Sequence, residues 1–176
     1  KAECPSNVDM AKMKYEFLHH YHTVNGLPLR NRIFGHIARL SWLGSRLAPV
    51  SNWLARSWPN RWLMERLAGI DRRRPLPRFA RETFTDWFDR RRPPAAAPRG
   101  DVVLFHDTFV TYNAPEIGRA AVELLEAAGY RVQLVDKKCC GRPLISKGMP
   151  DEAKALAEWN VARLHPWVAR GPAIGG

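Results

Sequence analysis

The sequence has 176 residues, of which 45% are apolar, and this is ordinary for a globular protein of one domain or two small ones. No apolar run approaches the roughly 20 residues that a membrane-spanning helix needs. Three cysteines make an odd number, which argues against a complete disulfide framework and for metal or redox chemistry in a reducing, cytoplasmic compartment.

The positive charge is unevenly distributed along the chain. The formal net charge is +11, and residues 1–100 contain 19 Lys and Arg against 8 Asp and Glu. Residues 101–176 contain 9 of each kind, so the whole net charge belongs to the first part. We therefore expect the first part to contact nucleic acid, an anionic membrane surface or an acidic protein.

The first part is predicted to consist of short helices. Ser6, with Asp9 three residues later, resembles a capping box, and Asn25-Gly26 ends the helix that follows. Further helices are predicted over residues 30–47, 51–58, 59–68 and 82–89, the third of these closed by Gly69.

Tryptophan and arginine alternate in these helices. The residues concerned are Trp42, Trp53, Trp58, Trp62, Arg39, Arg46, Arg56, Arg61 and Arg66. One interpretation is core packing, in which arginine stems cover buried rings. A second is a helix on an anionic lipid surface, for which this composition is typical. Nucleic-acid binding ranks third, because no recognisable nucleic-acid motif accompanies the basic and aromatic residues.

Three histidines lie close together near the end of the first predicted helix. His19 and His22 share a face at a spacing of three residues, with His20 between them. No carboxylate or cysteine in the segment completes a metal site, so the pattern favours an ordinary polar face.

A segment rich in proline and alanine divides the chain. Its composition is typical of a semi-rigid linker. We predict a helical region over residues 1–92, a linker over 93–100 and a small Rossmann-like α/β domain over 101–176.

The third region has the pattern of a parallel strand–helix–strand unit. Val102–Phe105 resembles a buried strand, Asn113 and Pro115 open a helix that Gly129 ends, and Arg131–Val135 resembles a second strand. Two strands separated by one helix predict a right-handed crossover and hence an α/β fold. A final helix is predicted over residues 151–164.

Two adjacent cysteines, Cys139 and Cys140, follow the second predicted strand. Ligands bind at this carboxyl end of the strands in open α/β sheets. Lys137 and Lys138 precede the pair, and nearby cations favour the thiolate, which is the metal-binding form. Gly141 permits a backbone turn that lets both sulfurs face one site. The alternative is that both are buried structural residues.

The third cysteine, Cys4, precedes a proline. Thiolates ligate iron-sulfur clusters, and the bacterial ferredoxin cysteine run ends in Cys-Pro. Because the sequence begins three residues before Cys4, we expect it to be a piece of a longer redox protein.

Several motifs together resemble a known family. His106-Asp107-Thr108-Phe109, Pro115-Glu116-Ile117-Gly118 and Cys139-Cys140-Gly141-Arg142-Pro143 resemble the cysteine-rich CCG domain. That domain occurs in heterodisulfide reductases, in iron-sulfur subunits of glycolate oxidase and anaerobic glycerol-3-phosphate dehydrogenase, and in FAD-linked oxidases. The segment from Cys4 to Met10 resembles the end of a ferredoxin-type module. The resemblance covers about residues 1–20 and 101–170.

The resemblance implies an electron relay. Cys4 would ligate a [4Fe-4S] cluster of the ferredoxin module, and Cys139 and Cys140 would ligate a second centre. An FAD in a domain outside this chain would oxidise a 2-hydroxy acid such as lactate or glycolate. Electrons would pass to a quinone or an acceptor protein, with a peripheral contact at the inner face of the membrane.

The family's first cysteine, about thirty residues before the CCG, has no counterpart here. Asp107 stands in that neighbourhood, either as a substitute oxygen ligand or as the cap of the loop after the strand. His106 beside it is a candidate outer-shell partner.

Two rival functions follow from the same residues. The chain could be a basic, non-catalytic module that binds anionic lipid or nucleic acid, or a metal-free structural module with idle cysteines. In the favoured hypothesis it belongs to an oxidoreductase and is inactive by itself.

Overall fold

The structure, a computed structural model, describes residues 8–171 and 173–175. Within these ranges helices dominate around a small parallel sheet, so the predicted α/β class is confirmed. The elements are α1 (Met10–Asn25), α2 (Leu29–Gly35), α3 (Ile37–Arg46), α4 (Ala48–Arg56), α5 (Trp58–Ala68), α6 (Phe84–Arg90), β1 (Asp101–Leu104), α7 (Thr108–Tyr112), α8 (Pro115–Ala127), β2 (Arg131–Gln133), α9 (Arg142–Ser146), α10 (Pro150–Val168) and β3 (Ala173–Gly175).

Local sequence sets the limits of the first helices. Asp9 is itself the N-cap of α1, and its carboxylate accepts a 3.1 Å hydrogen bond from a first-turn amide. Ser6, the predicted cap, lies outside the described residues. The single helix predicted over 30–47 is divided at His36 into α2 and α3. Gly69 ends α5 in a left-handed conformation (φ 60°), as predicted.

The sheet is built around β1. Both neighbours run parallel to it, in the order β2-β1-β3, with Val102 opposite Val132 on one side and opposite Ala173 on the other. The predicted parallel strand–helix–strand unit is therefore confirmed. β3 was not predicted, because three residues between glycines carry no strand pattern and gain order only by pairing with β1.

The start of α8 differs from the sequence prediction. Asn113 does not cap α8 but ends α7, and its side-chain amide donates a 2.9 Å hydrogen bond to the carbonyl of Arg78. α8 begins at Pro115 without a side-chain cap. The short helices α7 and α9 were not predicted, since five residues are too few for a helical period.

One core lies between the sheet, α6 and α8. Phe84, Val102, Val122 and Val132 are buried together, and the Phe84 ring is fully inaccessible. A capping box formed by the residues before and within the first turn fixes α6. Thus α6, which precedes the proline-rich segment, packs against the strands that follow it. The division into domains at residues 93–100 stays a prediction.

A second core joins the early helices to the last one. Leu144, Met149 and Ala153 are buried together, with Leu27 packed against them. Asn52 fixes the irregular segment after α5, because its amide donates to the Phe79 carbonyl (2.8 Å) and its oxygen accepts from the Phe79 amide (2.9 Å).

The tryptophans of α3, α4 and α5 are largely exposed. Trp53 and Trp58 keep 69% and 67% of their surface, and Trp42 and Trp62 keep 46% and 41%. The core-packing interpretation is therefore wrong for these four rings. In the described part of the chain, no helix is both long enough and apolar enough to cross a membrane.

A substitution at Gly118 tests how tightly the first core is packed. A Cβ added there would lie 2.6 Å from Cδ2 of the buried Phe84 ring and 2.8 Å from Cγ1 of Val110. Overpacking costs about 1–3 kcal/mol, and alanine returns at most about 1 kcal/mol of helix propensity. We expect Gly118→Ala to lower the free energy of unfolding by roughly 1–2 kcal/mol, measured by urea denaturation.

Gly175→Ala is the matched control, since a Cβ at Gly175 meets no atom within 4 Å. Equal effects of the two substitutions would contradict the packing described for Gly118.

Candidate functional site

Both adjacent cysteines lie on the loop between β2 and α9. Cys139 and Cys140 are free and half-buried. Gly141 follows in the left-handed conformation (φ 79°), as predicted, and caps α9. A Cβ at Gly141 would lie 3.3 Å from that of Ala153, so the close packing of this turn on α10 also favours glycine.

Asn160 of α10 holds the backbone of this loop. Its side-chain oxygen accepts a 2.8 Å hydrogen bond from the Lys138 amide. Its amide group donates to the carbonyls of Cys139 (3.2 Å) and Lys138 (3.4 Å). Asn160 was not predicted as a site residue from the sequence. A signal was available in the sequence. Asn160 is a polar residue on the same predicted helix face as Ala153 and Leu156, which pack in the second core.

A cavity of about 440 Å³ brings the predicted site residues together. Cys139, Cys140 and Asp107 all line it, as do Arg142 and Lys147. Neither Arg142 nor Lys147 forms an ion pair within residues 8–171 and 173–175. The cavity therefore contains two thiols and one carboxylate beside two cations that have no ion-pair partner among the described residues.

Asp107 has a clear structural task. Its carboxylate accepts a 2.7 Å hydrogen bond from the Val110 amide and caps α7. This is the capping alternative raised from the sequence. A ligand role for Asp107 stays a prediction.

Lys137 precedes the cysteine pair on the same loop. Burial lowers the pKa of its ammonium group, while attraction to Cys139, Asp107 and Cys140 opposes that shift. The ammonium lies 5.3 Å from the centre of the Phe105 ring. Lys138, by contrast, is exposed and lies 4.7 Å from the centre of the Trp159 ring. Of the two lysines, Lys137 is thus the partly buried one.

His106 is buried at the end of β1 and keeps only 7% of its surface. Its Nδ1 lies 2.8 Å from the hydroxyl oxygen of Thr111, which in turn donates to the Asp107 carbonyl. Burial, aided by the charge of Lys137, lowers the pKa of His106 from 6.5 to about 3, so the ring is neutral. Its outer-shell role stays a prediction.

The three histidines of α1 form no metal site with other residues that the structure describes. His19 faces Asp151 at 3.8 Å, and His22 Nε2 lies 3.3 Å from the side-chain amide of Asn31. These contacts are compatible with an ordinary polar face, and that interpretation stays a prediction.

The residues fit an iron-sulfur cluster in part. In the described ranges no group of three or more His, Cys, Asp or Glu could hold a metal ion. A cluster with four thiolates therefore needs ligands besides Cys139 and Cys140. Cys4, the other predicted ligand, lies outside the described residues.

His106 makes stability depend on pH. Its folded pKa of about 3 lies below the ordinary 6.5, so between these values the unfolded chain binds the extra proton. The contribution of the neutral His106 ring to the free energy of unfolding is therefore fully present above pH 6.5, and it is lost as the pH falls from 6.5 to about 3. We expect His106→Asn, which keeps a donor for Thr111, to reduce the loss of unfolding free energy between pH 7 and pH 4 by roughly 3 kcal/mol.

The measurement is urea denaturation at each pH. His20→Asn is the control, because His20 is exposed. Parallel pH curves for the wild type and His106→Asn would refute the burial of a neutral imidazole.

Comparisons with known proteins agree with this geometry. The family model described as "Cysteine-rich domain" (CCG) matches residues 103–168. The chain is 37% identical over 134 residues to a subunit of the anaerobic glycerol-3-phosphate dehydrogenase of Escherichia coli (strain K12), and equally to its namesake in Escherichia coli O157:H7. Each alignment covers 76% of this chain and 34% of the relative. No solved structure matches the chain.

The chain thus spans about a third of the length of the curated relatives it matches. The matched segment runs from β1 through α10 and contains the cysteine pair, Gly141 and Asn160. The resemblance inferred from the motifs is confirmed for the second part of the chain, where residues 103–168 match the CCG cysteine-rich domain. The ferredoxin-type resemblance around Cys4 stays a prediction.

Proposed function

We propose that this chain is the electron-transfer part of a flavin-linked oxidoreductase and that Cys139 and Cys140 ligate an iron-sulfur cluster. One observation carries the proposal: two free thiols on a single fixed turn line one cavity inside a CCG domain, beside two cations that form no ion pair with another described residue. Such a cluster, when bound, accepts and releases single electrons.

Each residue has a defined task in this proposal. Cys139 and Cys140 supply two thiolate ligands, and Asn160 holds the loop that carries them. Lys137, together with the cavity cations Arg142 and Lys147, stabilises the negative charge of the thiolates. The remaining ligands come from outside the described residues. Cys4 belongs to a separate ferredoxin-type [4Fe-4S] cluster.

The wider reaction follows the same hypothesis. An FAD-containing domain or subunit outside this chain oxidises a 2-hydroxy acid such as lactate or glycolate, and the electrons leave to a quinone or an acceptor protein. The relatives are named as subunits of a glycerol-3-phosphate dehydrogenase, which makes a glycerol phosphate the rival substrate. Partner subunits are part of the proposal.

Replacing either cysteine tests the proposed centre. We expect Cys139→Ser and Cys140→Ser in the full-length protein to lower iron and acid-labile sulfide. Removal of a residue that only hydrogen-bonds to a metal ligand typically lowers metal affinity by about 10–100-fold. Removal of a ligand itself should lower the affinity by more than this. The measurements are metal content and anaerobic absorption and electron paramagnetic resonance spectra.

Ser146→Ala is the matched control, because Ser146 lines the same cavity and its hydroxyl only donates to the Pro143 carbonyl. Unchanged iron in both cysteine variants would overturn the assignment of the ligands. Reduction of the wild-type complex by lactate, glycolate or glycerol 3-phosphate then identifies the electron donor.

We propose as a second function that α3, α4 and α5 lie on an anionic membrane surface. Exposed rings carry this proposal, notably Trp53 and Trp58, in a part of the chain that holds the whole net positive charge. Aromatic residues with basic neighbours are typical of interfacial helices. Such a contact suits an enzyme that delivers electrons to a membrane quinone.

Vesicle binding tests this contact. We expect co-sedimentation with vesicles rich in phosphatidylglycerol, weaker binding at high salt, and none with phosphatidylcholine alone. Replacing Trp53 and Trp58 together by Ser should weaken binding about ten-fold or more, because both rings lose apolar contact with the lipid.

Leu67→Ser and Leu124→Ser form a matched pair, since these leucines are 68% and 70% exposed in the two different parts of the chain. Only Leu67→Ser should weaken binding. Equal effects, or equal binding to both kinds of vesicle, would exclude the proposed surface.

A further inference from the structure

A second and larger cavity lies beside the cysteine site. Its volume is about 1160 Å³, and Cys139 lines both cavities. Trp42, Leu134 and Leu156 contribute apolar wall, while His106 and Lys137 contribute polar groups. Apolar walls with a few polar groups are typical of sites for small organic ligands.

The hydrogen bonds of His106 determine what its ring offers to this cavity. The Thr111 hydroxyl has one hydrogen and donates it to the Asp107 carbonyl, which can only accept. The contact between Thr111 and His106 therefore requires that Nδ1 carries the ring proton. Nε2 is then a bare acceptor, and within residues 8–171 and 173–175 it has no hydrogen-bond partner.

Lys137 offers the complementary group. Its ammonium has donors and no acceptor, and in the described part of the chain it forms neither an ion pair nor a hydrogen bond. Both His106 and Lys137 line this cavity. A ligand that satisfies both has a hydroxyl for His106 and an acceptor oxygen for Lys137.

The residues that line the cavity determine which kind of molecular framework fits between these two polar groups. Trp42 and the leucines favour a flat apolar ring over a sugar or a short polar chain. Three carboxylates line the cavity and balance its three cations in formal charge, so the lining offers no excess positive charge to a multiply charged anion such as a phosphate ester. The carboxylates are those of Asp89, Asp136 and Glu152, and the cations are Arg39, Lys137 and Lys138.

We propose that this cavity binds a hydroxyaromatic molecule whose hydroxyl donates to His106 Nε2 and whose second oxygen accepts from Lys137. The ring then lies against the wall that contains Trp42 and Leu156, in the cavity that Cys139 also lines. The site is distinct from the one that holds both cysteines.

Three related probes test the proposal on the full-length protein. They are 6-hydroxy-2-naphthoate, 2-naphthoate, which lacks the hydroxyl, and 2-naphthol, which lacks the carboxylate. Calorimetric titration measures each dissociation constant. We expect 6-hydroxy-2-naphthoate to bind about five-fold more tightly than 2-naphthoate and at least about ten-fold more tightly than 2-naphthol, since a hydrogen bond to a charged group is the stronger.

Two substitutions assign these differences to named groups. His106→Asn keeps the donor to Thr111 and removes the Nε2 acceptor, so it should abolish the advantage of the hydroxyl while 2-naphthoate binds as before. Lys137→Met should abolish the advantage of the carboxylate. Lys154→Met is the control, because Lys154 is exposed and faces Glu158 on α10.

Circular dichroism and thermal unfolding verify that each variant folds. Equal affinity for probes with and without the hydroxyl, or failure of all three to bind the folded protein, would overturn the proposal. The readout is binding and not electron transfer, so its outcome is separate from that of the iron measurement.

Discussion

Both neighbours of β1 run parallel to it, and this constraint determines where the chemistry lies. Parallel strands end at the same edge of a sheet, so the segments that leave β1 and β2 must emerge side by side. His106 and Asp107 leave β1, while Lys137 and the cysteine pair follow β2. Residues about thirty positions apart in sequence thus line common cavities.

Positive charge at this edge is the second organising feature. A partly buried ammonium without a partner is costly, and burial lowers the pKa of Lys137 accordingly. The cost is offset where negative charge stands nearby, and the groups that provide it are the two cysteines and Asp107. The proposed ligation of a metal by both cysteines would place thiolate charge at this edge and stabilise the ammonium further.

The cysteine loop could be predicted from sequence because its determinants are local. Gly141 needs a left-handed backbone, β2 precedes it as an alternating segment, and a family motif covers the turn. Asn160 could not be assigned the same way, because its partners lie 21 and 22 residues earlier and only packing brings them together. β3 was not predicted for the same reason, since its three residues become a strand only by pairing with β1.

The exposed tryptophans show what amino-acid composition alone cannot predict. A sequence rich in Trp and Arg is compatible with a core or with a surface, and only the fold distinguishes the two. Trp53 and Trp58 are exposed because α4 and α5 have few partners among the described residues. The helical region is nevertheless attached to the α/β part, because α2 contacts α9 and α3 contacts α7.

These contacts make the helical region part of the site. Phe34 and Ile37 form part of the wall of the cysteine cavity, and Trp42 does the same for the larger one. Neither cavity would be complete if it were built from residues 101–176 alone. Through Ile37 and Trp42, α3 lines both cavities, and Cys139 lines both as well, so the helix and the cysteine loop share the same two cavity walls.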